Sequence, residues 1–175
     1  LAELVGSARE VATVALPPHL PGGAERAPRA EPAGATVPPV RVLALGMVRR
    51  YKGYDLLLEA ARDVPEARVT VAGEQWGSAG ERVRELAADP ALAGRVVLDG
   101  GYVPASRIPS LLAEHDVLAL PYRHATASQN VLLAHAHGLP VLASSVGTFP
   151  QDVRDGVDGL LVPPDDVPAL VAALR

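Results

Sequence analysis

From Val40 to the end of the chain, short apolar runs alternate with longer amphipathic ones, and this rhythm limits the fold more than any other feature. Strands are expected over 40–45, 68–72, 95–98, 117–120, 140–143 and 159–162, and helices over 53–62, 79–88, 106–113, 128–137 and from 166 onward. Strands spaced by helices predict an α/β domain, a parallel sheet with helices on both faces. The composition agrees: 175 residues, 49% apolar but only 3% aromatic, suit one well-buried core of Ala, Val and Leu.

Residues 1–39 read differently. Val11-Ala12-Thr13-Val14-Ala15-Leu16 has strand character, but Pro17-Pro18-His19-Leu20-Pro21-Gly22-Gly23 ends it, and Ala/Pro-rich polar sequence continues to Pro39. The expected organisation is therefore a domain edge and linker over 1–39 and a ligand-binding domain over 40–175. The chain starts without Met and ends inside the helical run 167–175, so it reads as a piece of a longer protein.

Several function classes are disfavoured at once. A net charge of −4 gives no electrostatic footprint for nucleic acid. There is no cysteine, and His135 and His137, two positions apart, fall on different sides of a helix, so no metal site is expected. No apolar run is long enough to span a bilayer, and Leu1-Ala2-Glu3-Leu4 lacks the basic start of a signal peptide, so the expectation is a cytoplasmic chain. No internal repeat has a fixed period.

Right-handed crossovers would bring the loops after the strands to one rim, collecting 46–52, 73–77, 100–103 and 121–130. The first of these carries Gly46-Met47-Val48-Arg49-Arg50-Tyr51-Lys52-Gly53. An isolated basic triplet is usually a solvated turn. At the carboxyl end of a strand, where open α/β sheets bind ligands, it is a place for a phosphate: a guanidinium grips two oxygens while Lys52 supplies a point charge. Thr126 or Ser128 is placed to cap the next helix, whose positive end would face the same rim. Neither Gly-x-Gly-x-x-Gly after the first strand nor a Gly-x-x-x-x-Gly-Lys-Ser/Thr loop occurs, so phosphate binding needs this other device.

Six motifs in order carry a family resemblance. They are Gly46-x-x-Arg49-x-Tyr51-Lys52-Gly53-x-Asp55-Leu56-Leu57-Leu58-x-Ala60, Val71-Ala72-Gly73-Glu74, Gly101-Tyr102-Val103-Pro104, Asp116-Val117-x-x-Leu120-Pro121-Tyr122-Arg123-x-Ala125-Thr126-x-Ser128, Gly138-x-Pro140-Val141, and Val153-x-Asp155-Gly156-x-x-Gly159-Leu160-Leu161-Val162-Pro163-Pro164. Together, over about 40–175, they resemble the carboxyl-terminal, donor-binding half of GT-B glycosyltransferases of family four. The resemblance implies a Rossmann-like domain and transfer of a sugar, with retention, from a nucleotide diphosphate sugar, without a cofactor or metal. Gly46, Arg49 and Lys52 would hold the donor diphosphate. Thr126, Ser128, Gln129 and Asn130, at the amino end of a helix, would lie beside phosphates and sugar. Gly73, Glu74, Tyr102 and Val103 would flank base and ribose. The acceptor would bind to an amino-terminal domain, of which residues 1–21 look like the last strand.

The chain departs from the family where most members have two glutamates, with seven residues between them. Those places hold Ala125 and Leu133. A subgroup has Ala-Thr-Gln-Ser-Gly-Val instead, and this chain is similar to it, with Gln129 and Asn130 replacing the Gly and Val. Two readings follow. Gln129 and Asn130 are themselves donor ligands, or the domain is a non-catalytic sugar-nucleotide-binding or interaction module. Smaller expectations are that Asp55 caps or salt-bridges its helix, that Gly138 ends a helix, and that Gly147-Thr148 forms a plain turn.

Overall fold

The computed structural model describes residues 39–175. The strand-like stretch 11–16, the linker and the expected domain edge over 1–38 lie outside the described residues.

Six strands form one wholly parallel sheet in the order β3-β2-β1-β4-β5-β6. They are β1 Val40–Leu45, β2 Ala67–Ala72, β3 Val96–Asp99, β4 Val117–Leu120, β5 Val141–Ser144 and β6 Gly159–Val162. The continuous apolar runs follow from burial on both faces: Val42 to Leu45 of β1, Leu118 to Leu120 of β4 and all of β5 are buried, whereas the edge strand β3 leaves Val97 60% exposed. The chain has the parallel α/β sheet that the rhythm predicts and belongs to the Rossmann-like class that the resemblance implies.

Among the described residues five α-helices link the strands, α1 Tyr54–Arg62, α2 Gly77–Ala87, α3 Ile108–Glu114, α4 Gln129–Ala136 and α5 Phe149–Asp152, and α6 Val167–Leu174 follows β6. Helix α1 packs against both α2 and α6, while α3 packs on β1 and α4 packs on α5 and β5. Boundaries agree with the periodicity to within about two residues. Gly147 and Thr148 form the plain turn expected of them, but α5, directly after it, has no counterpart in the expected elements. Phe149 and Pro150 open a single helical turn there, and the Phe149 ring is fully buried. One turn is too short to generate a periodic signal. Gly138, with φ 65, ends α4 by donating its amide to the His135 carbonyl at 3.0 Å, as expected of a helix terminator.

From β1 the chain adds β2 and β3 on one side, then returns to place β4 on the other side of β1. The order therefore reverses between β1 and β4, and the loops leaving these two strands frame the part of the carboxyl rim where open α/β sheets of this kind have their ligand crevice.

Candidate functional site

The crevice floor is built on Gly46 and Gly53. Gly46 closes β1 against β2, its amide donating to the Ala72 carbonyl at 2.8 Å. Val48 repeats this, its amide reaching the Glu74 carbonyl at 2.8 Å, so the first loop continues the sheet by one bridge. Arg50 to Lys52 then make a 3₁₀ turn that ends at Gly53, whose φ of 64° begins α1. A Cβ at Gly53 would stand 2.0 Å from the Pro121 carbonyl oxygen. The loops after β1 and β4 touch backbone to backbone there, and only glycine permits both the contact and the dihedral.

Beneath Lys52 lie two buried phenols. Its Nζ is 5.8 Å from the Tyr54 ring centroid and 5.9 Å from that of Tyr122, distances that suit a cation over aromatic faces. Burial, reinforced by the neighbouring charge of Arg49, pulls the Lys52 pKa below its ordinary value. The Tyr54 hydroxyl donates to the Leu45 carbonyl at 2.7 Å. Burial pushes the Tyr122 phenol up to about 12, against hydrogen bonding from Ser128, Asn130 and Tyr54, so it remains protonated. Tyr122 is wedged between Tyr51 and Phe149, at centroid distances of 5.5 and 5.4 Å.

Ser128 is the residue that caps α4; its Oγ accepts from the Asn130 amide at 3.3 Å. Thr126 does not cap, but its carbonyl accepts from the Thr148 amide at 2.9 Å, which fastens the approach to α4 onto the turn after β5. Gln129 is exposed at the first helical position. The Asn130 side-chain amide instead donates to the Leu45 carbonyl at 3.1 Å, 85 positions away, and so ties α4 to the end of β1.

The remaining predicted residues lie on the β2 and β3 side. Gly73 follows β2 with φ 147, in contact with Gly46, and donates its amide to the Asp99 carbonyl at 2.9 Å. Glu74 is half-buried. Val103 packs against the core, while Tyr102 is 76% exposed. The structure thus brings Gly46, Lys52, Ser128 and Asn130 together around Leu45 and Tyr122, with Arg49 on the outer side of the same loop. Tyr102 stands apart on the β3 side.

Sequence reasoning missed Tyr54, Tyr122 and Arg123 as builders of the site. Arg123 forms a bidentate pair with Asp55, each bond 2.8 Å long. Burial alone would raise the Asp55 pKa, but the Arg123 hydrogen bonds and charge override it and hold the carboxyl below its usual range. Asp55 therefore makes a salt bridge, as one of its two expected roles required, though with a loop 68 positions away. The signal available was Pro121-Tyr122-Arg123 directly after a buried strand. Nothing local marks its partner. Among the described residues no group of His, Asp or Glu is arranged to hold a metal ion, and no helix is long and apolar enough to cross a membrane.

The family described as "Glycosyl transferases group 1" matches residues 39–175. The chain belongs to the group 1 glycosyl transferases. Among curated relatives, a GDP-mannose-dependent alpha-(1-6)-phosphatidylinositol monomannoside mannosyltransferase of Mycolicibacterium smegmatis is 33% identical, over 89% of this chain and 45% of its own length. The sucrose-phosphate synthase of Thermosynechococcus elongatus superimposes with a TM-score of 0.71 at 28% identity, over 78% of this chain and 35% of that one. Anabaena HepE, solved in complex with UDP-glucose, shares the fold with a TM-score of 0.70 at 21% identity, over 78% and 38% of the two chains. This group 1 chain spans less than half the length of these relatives.

Proposed function

We propose that this domain binds the nucleotide diphosphate sugar of a glycosyltransferase in the β1/β4 crevice. The observation that carries the reading is Lys52: a half-buried cation, paired with no carboxylate among the described residues, beside the amino end of α4 at the point where the strand order reverses. An ammonium desolvated without a counter-ion is unfavourable in the free protein and gains most when an anion arrives.

In this reading Lys52 and Arg49 grip the diphosphate, Gly46 lets the backbone approach it, and the amino end of α4 from Ser128 adds its dipole. These preplaced charges stabilise the diphosphate as it leaves the sugar, the electrostatic contribution that a metal-free site makes to transfer. Thr126, Gln129 and the Asn130 region face sugar and phosphates; Gly73, Glu74, Tyr102 and Val103 border base and ribose. Retention is the stereochemistry that the family resemblance implies, and the acceptor would bind to a separate domain. UDP-glucose in HepE and the GDP-mannose dependence of the mycobacterial relative support a nucleotide sugar as ligand and leave the base open.

A second reading, a non-catalytic sugar-nucleotide-binding or interaction module, is favoured by one feature. Ala125 and Leu133 carry no hydrogen-bonding side chain at the two places where most of the family has glutamates, and Asn130 spends its amide nitrogen on Leu45. A thermal-shift panel of UDP, GDP, dTDP and ADP with their sugars tests binding and base choice together; stabilisation by one diphosphate series is expected, and none by any would defeat the reading. Sugar transfer by the full-length protein then separates the enzyme from the module.

A further inference from the structure

Arg123 sits at the crevice, yet its guanidinium is already occupied. Its Nη1 donates to the Arg50 carbonyl and to Asp55 Oδ1, and its Nη2 to Asp55 Oδ2, each at 2.8 Å. Nε lies 2.8 Å from Asp165 Oδ1. An arginine has five N–H donors in a rigid fork, so four of them are spoken for, and two carboxylates offset its charge. Its backbone amide adds a bond to the Tyr51 carbonyl at 2.7 Å.

The pieces come from three segments: Arg50 and Tyr51 from the 3₁₀ turn at Lys52 with Asp55 from the first turn of α1 just after it, Arg123 itself from the segment leading to α4, and Asp165 from the segment between β6 and α6. Asp165 is the one non-glycine residue with positive φ among the described residues, at 56°. Aspartate is among the few residues with a side chain that adopt this backbone readily, so Asp165 can serve the turn and still present its carboxylate to Arg123.

We propose that Arg123 is a positioning residue and not a phosphate ligand: it locks the Lys52 loop and the α4 loop into one anion cradle, and Asp165 extends that lock to the α6 loop. The proposal rests on the donor-binding reading above. Lysine cannot replace it, because a single ammonium cannot span an aspartate fork, a carbonyl and a second carboxylate in one plane. A cradle whose two loops are free must be ordered by the ligand, and that cost appears as lost affinity for the charged part of the ligand alone.

The test compares Arg123→Lys, Asp55→Asn and Asp165→Asn with the unaltered protein, by calorimetry with the best-stabilising nucleoside diphosphate and with its nucleoside, and by thermal denaturation. Diphosphate affinity is expected to fall about tenfold in Arg123→Lys and in Asp55→Asn and about twofold to threefold in Asp165→Asn, with nucleoside affinity held within about twofold. Asparagine tolerates the left-handed backbone at 165, so that variant keeps the test open even where a change at Arg123 unfolds the protein. Tighter diphosphate binding by Asp55→Asn would mean that Arg123 is a phosphate ligand restrained by Asp55, and would overturn the proposal. Lower melting temperatures with an unchanged ratio of diphosphate to nucleoside affinity would reduce Arg123 to a stability clip. Failure of the unaltered protein to bind any diphosphate would remove the donor reading itself, and the proposal with it.

Discussion

Strands β1 and β4 are clasped at both ends by an arginine and an aspartate, with the polarity reversed. At the amino ends Arg41 of β1 grips Asp116, with Nε and Nη2 each 3.2 Å from a carboxylate oxygen and the Arg41 amide adding a bond of 2.9 Å. At the carboxyl ends Asp55, after β1, accepts from Arg123, after β4. Both pairs are partly buried and bidentate. What differs is what surrounds them. The lower clasp joins two strand starts that are already in register, and in it each charge faces its opposite. The upper clasp joins the first turn of α1 to the loop after β4, and next to it stand Lys52, Arg49 and Arg50, for none of which a carboxylate partner is found among the described residues. One sheet thus carries a balanced electrostatic joint at one rim and, at the other, a joint that holds unbalanced positive charge in place.

The largest effect should come from prising the upper joint open at its backbone contact. Gly53→Ala places a Cβ 2.0 Å from the Pro121 carbonyl oxygen in a left-handed residue, and the combined strain and overpacking should cost about 3 kcal/mol or more of folding stability. Gly101→Ala in the β3–α3 loop is the control: a Cβ there meets nothing within 4 Å, so its stability should stay within about 0.5 kcal/mol of the parent. Denaturant melts of the two variants check the contrast; equal losses would show that the crevice floor is no tighter than the open rim.

Next comes Lys52, where stability and ligand affinity should move in opposite directions. Lys52→Met removes a desolvated cation from the two phenol rings, so the melting temperature should rise while diphosphate affinity falls by about 1.5–3 kcal/mol, or roughly tenfold to a hundredfold. The same logic fixes the pH dependence. Because the folded-state pKa is depressed, the unfolded chain holds more protons between that value and the ordinary lysine value, and this group's contribution makes stability increase with pH through that window. Diphosphate affinity should fall over the same window as the charge is lost. Arg50→Ala should leave affinity nearly unchanged and Arg49→Ala should weaken it, a distinction that calorimetry reads directly.

The lower clasp should answer in stability alone. Asp116→Asn removes the charge on a partly buried, bidentate carboxylate at the far end of the same strands, at an expected cost of about 1–2 kcal/mol, with diphosphate affinity unaltered. A change in affinity would show that the two clasps are coupled through β1 and β4.

Much of this architecture is legible in the sequence because it is local. The runs at 40–45, 117–120 and 140–143 are apolar since both faces of a central parallel strand are buried, and the Ser128 cap and Gly138 stop lie within a few residues of the helix they bound. The cations at 49, 50 and 52 are legible for the same reason. Their setting is not. Tyr54 and Tyr122 look like ordinary core aromatics, and the pairing of Asp55 with Arg123 spans 68 positions. Asn130 invites a role as a donor ligand by its place at a helix start, but the fold also brings the end of β1 to it, and the Leu45 carbonyl accepts its amide. Which polar groups remain for a ligand depends on long-range partners that no spacing reveals.

Gln129 is the smallest expected effect and the most informative about the sugar. Unlike Asn130 it is exposed and makes no side-chain hydrogen bond among the described residues, so of the two side chains replacing the subgroup's Gly and Val it is the one whose hydrogen-bonding groups are all free. If it contacts the donor, Gln129→Gly loses one hydrogen bond, worth about 0.5–1.5 kcal/mol for a neutral hydroxyl partner, and affinity for the nucleotide sugar should fall roughly threefold to tenfold while the bare diphosphate is nearly unaffected. If it obstructs the amino end of α4 instead, glycine exposes those amides and diphosphate affinity rises. Calorimetry with both ligands separates the two by sign. A gain for the diphosphate would favour the binding-module reading, because a site built for transfer gains nothing from a side chain that holds its leaving group away.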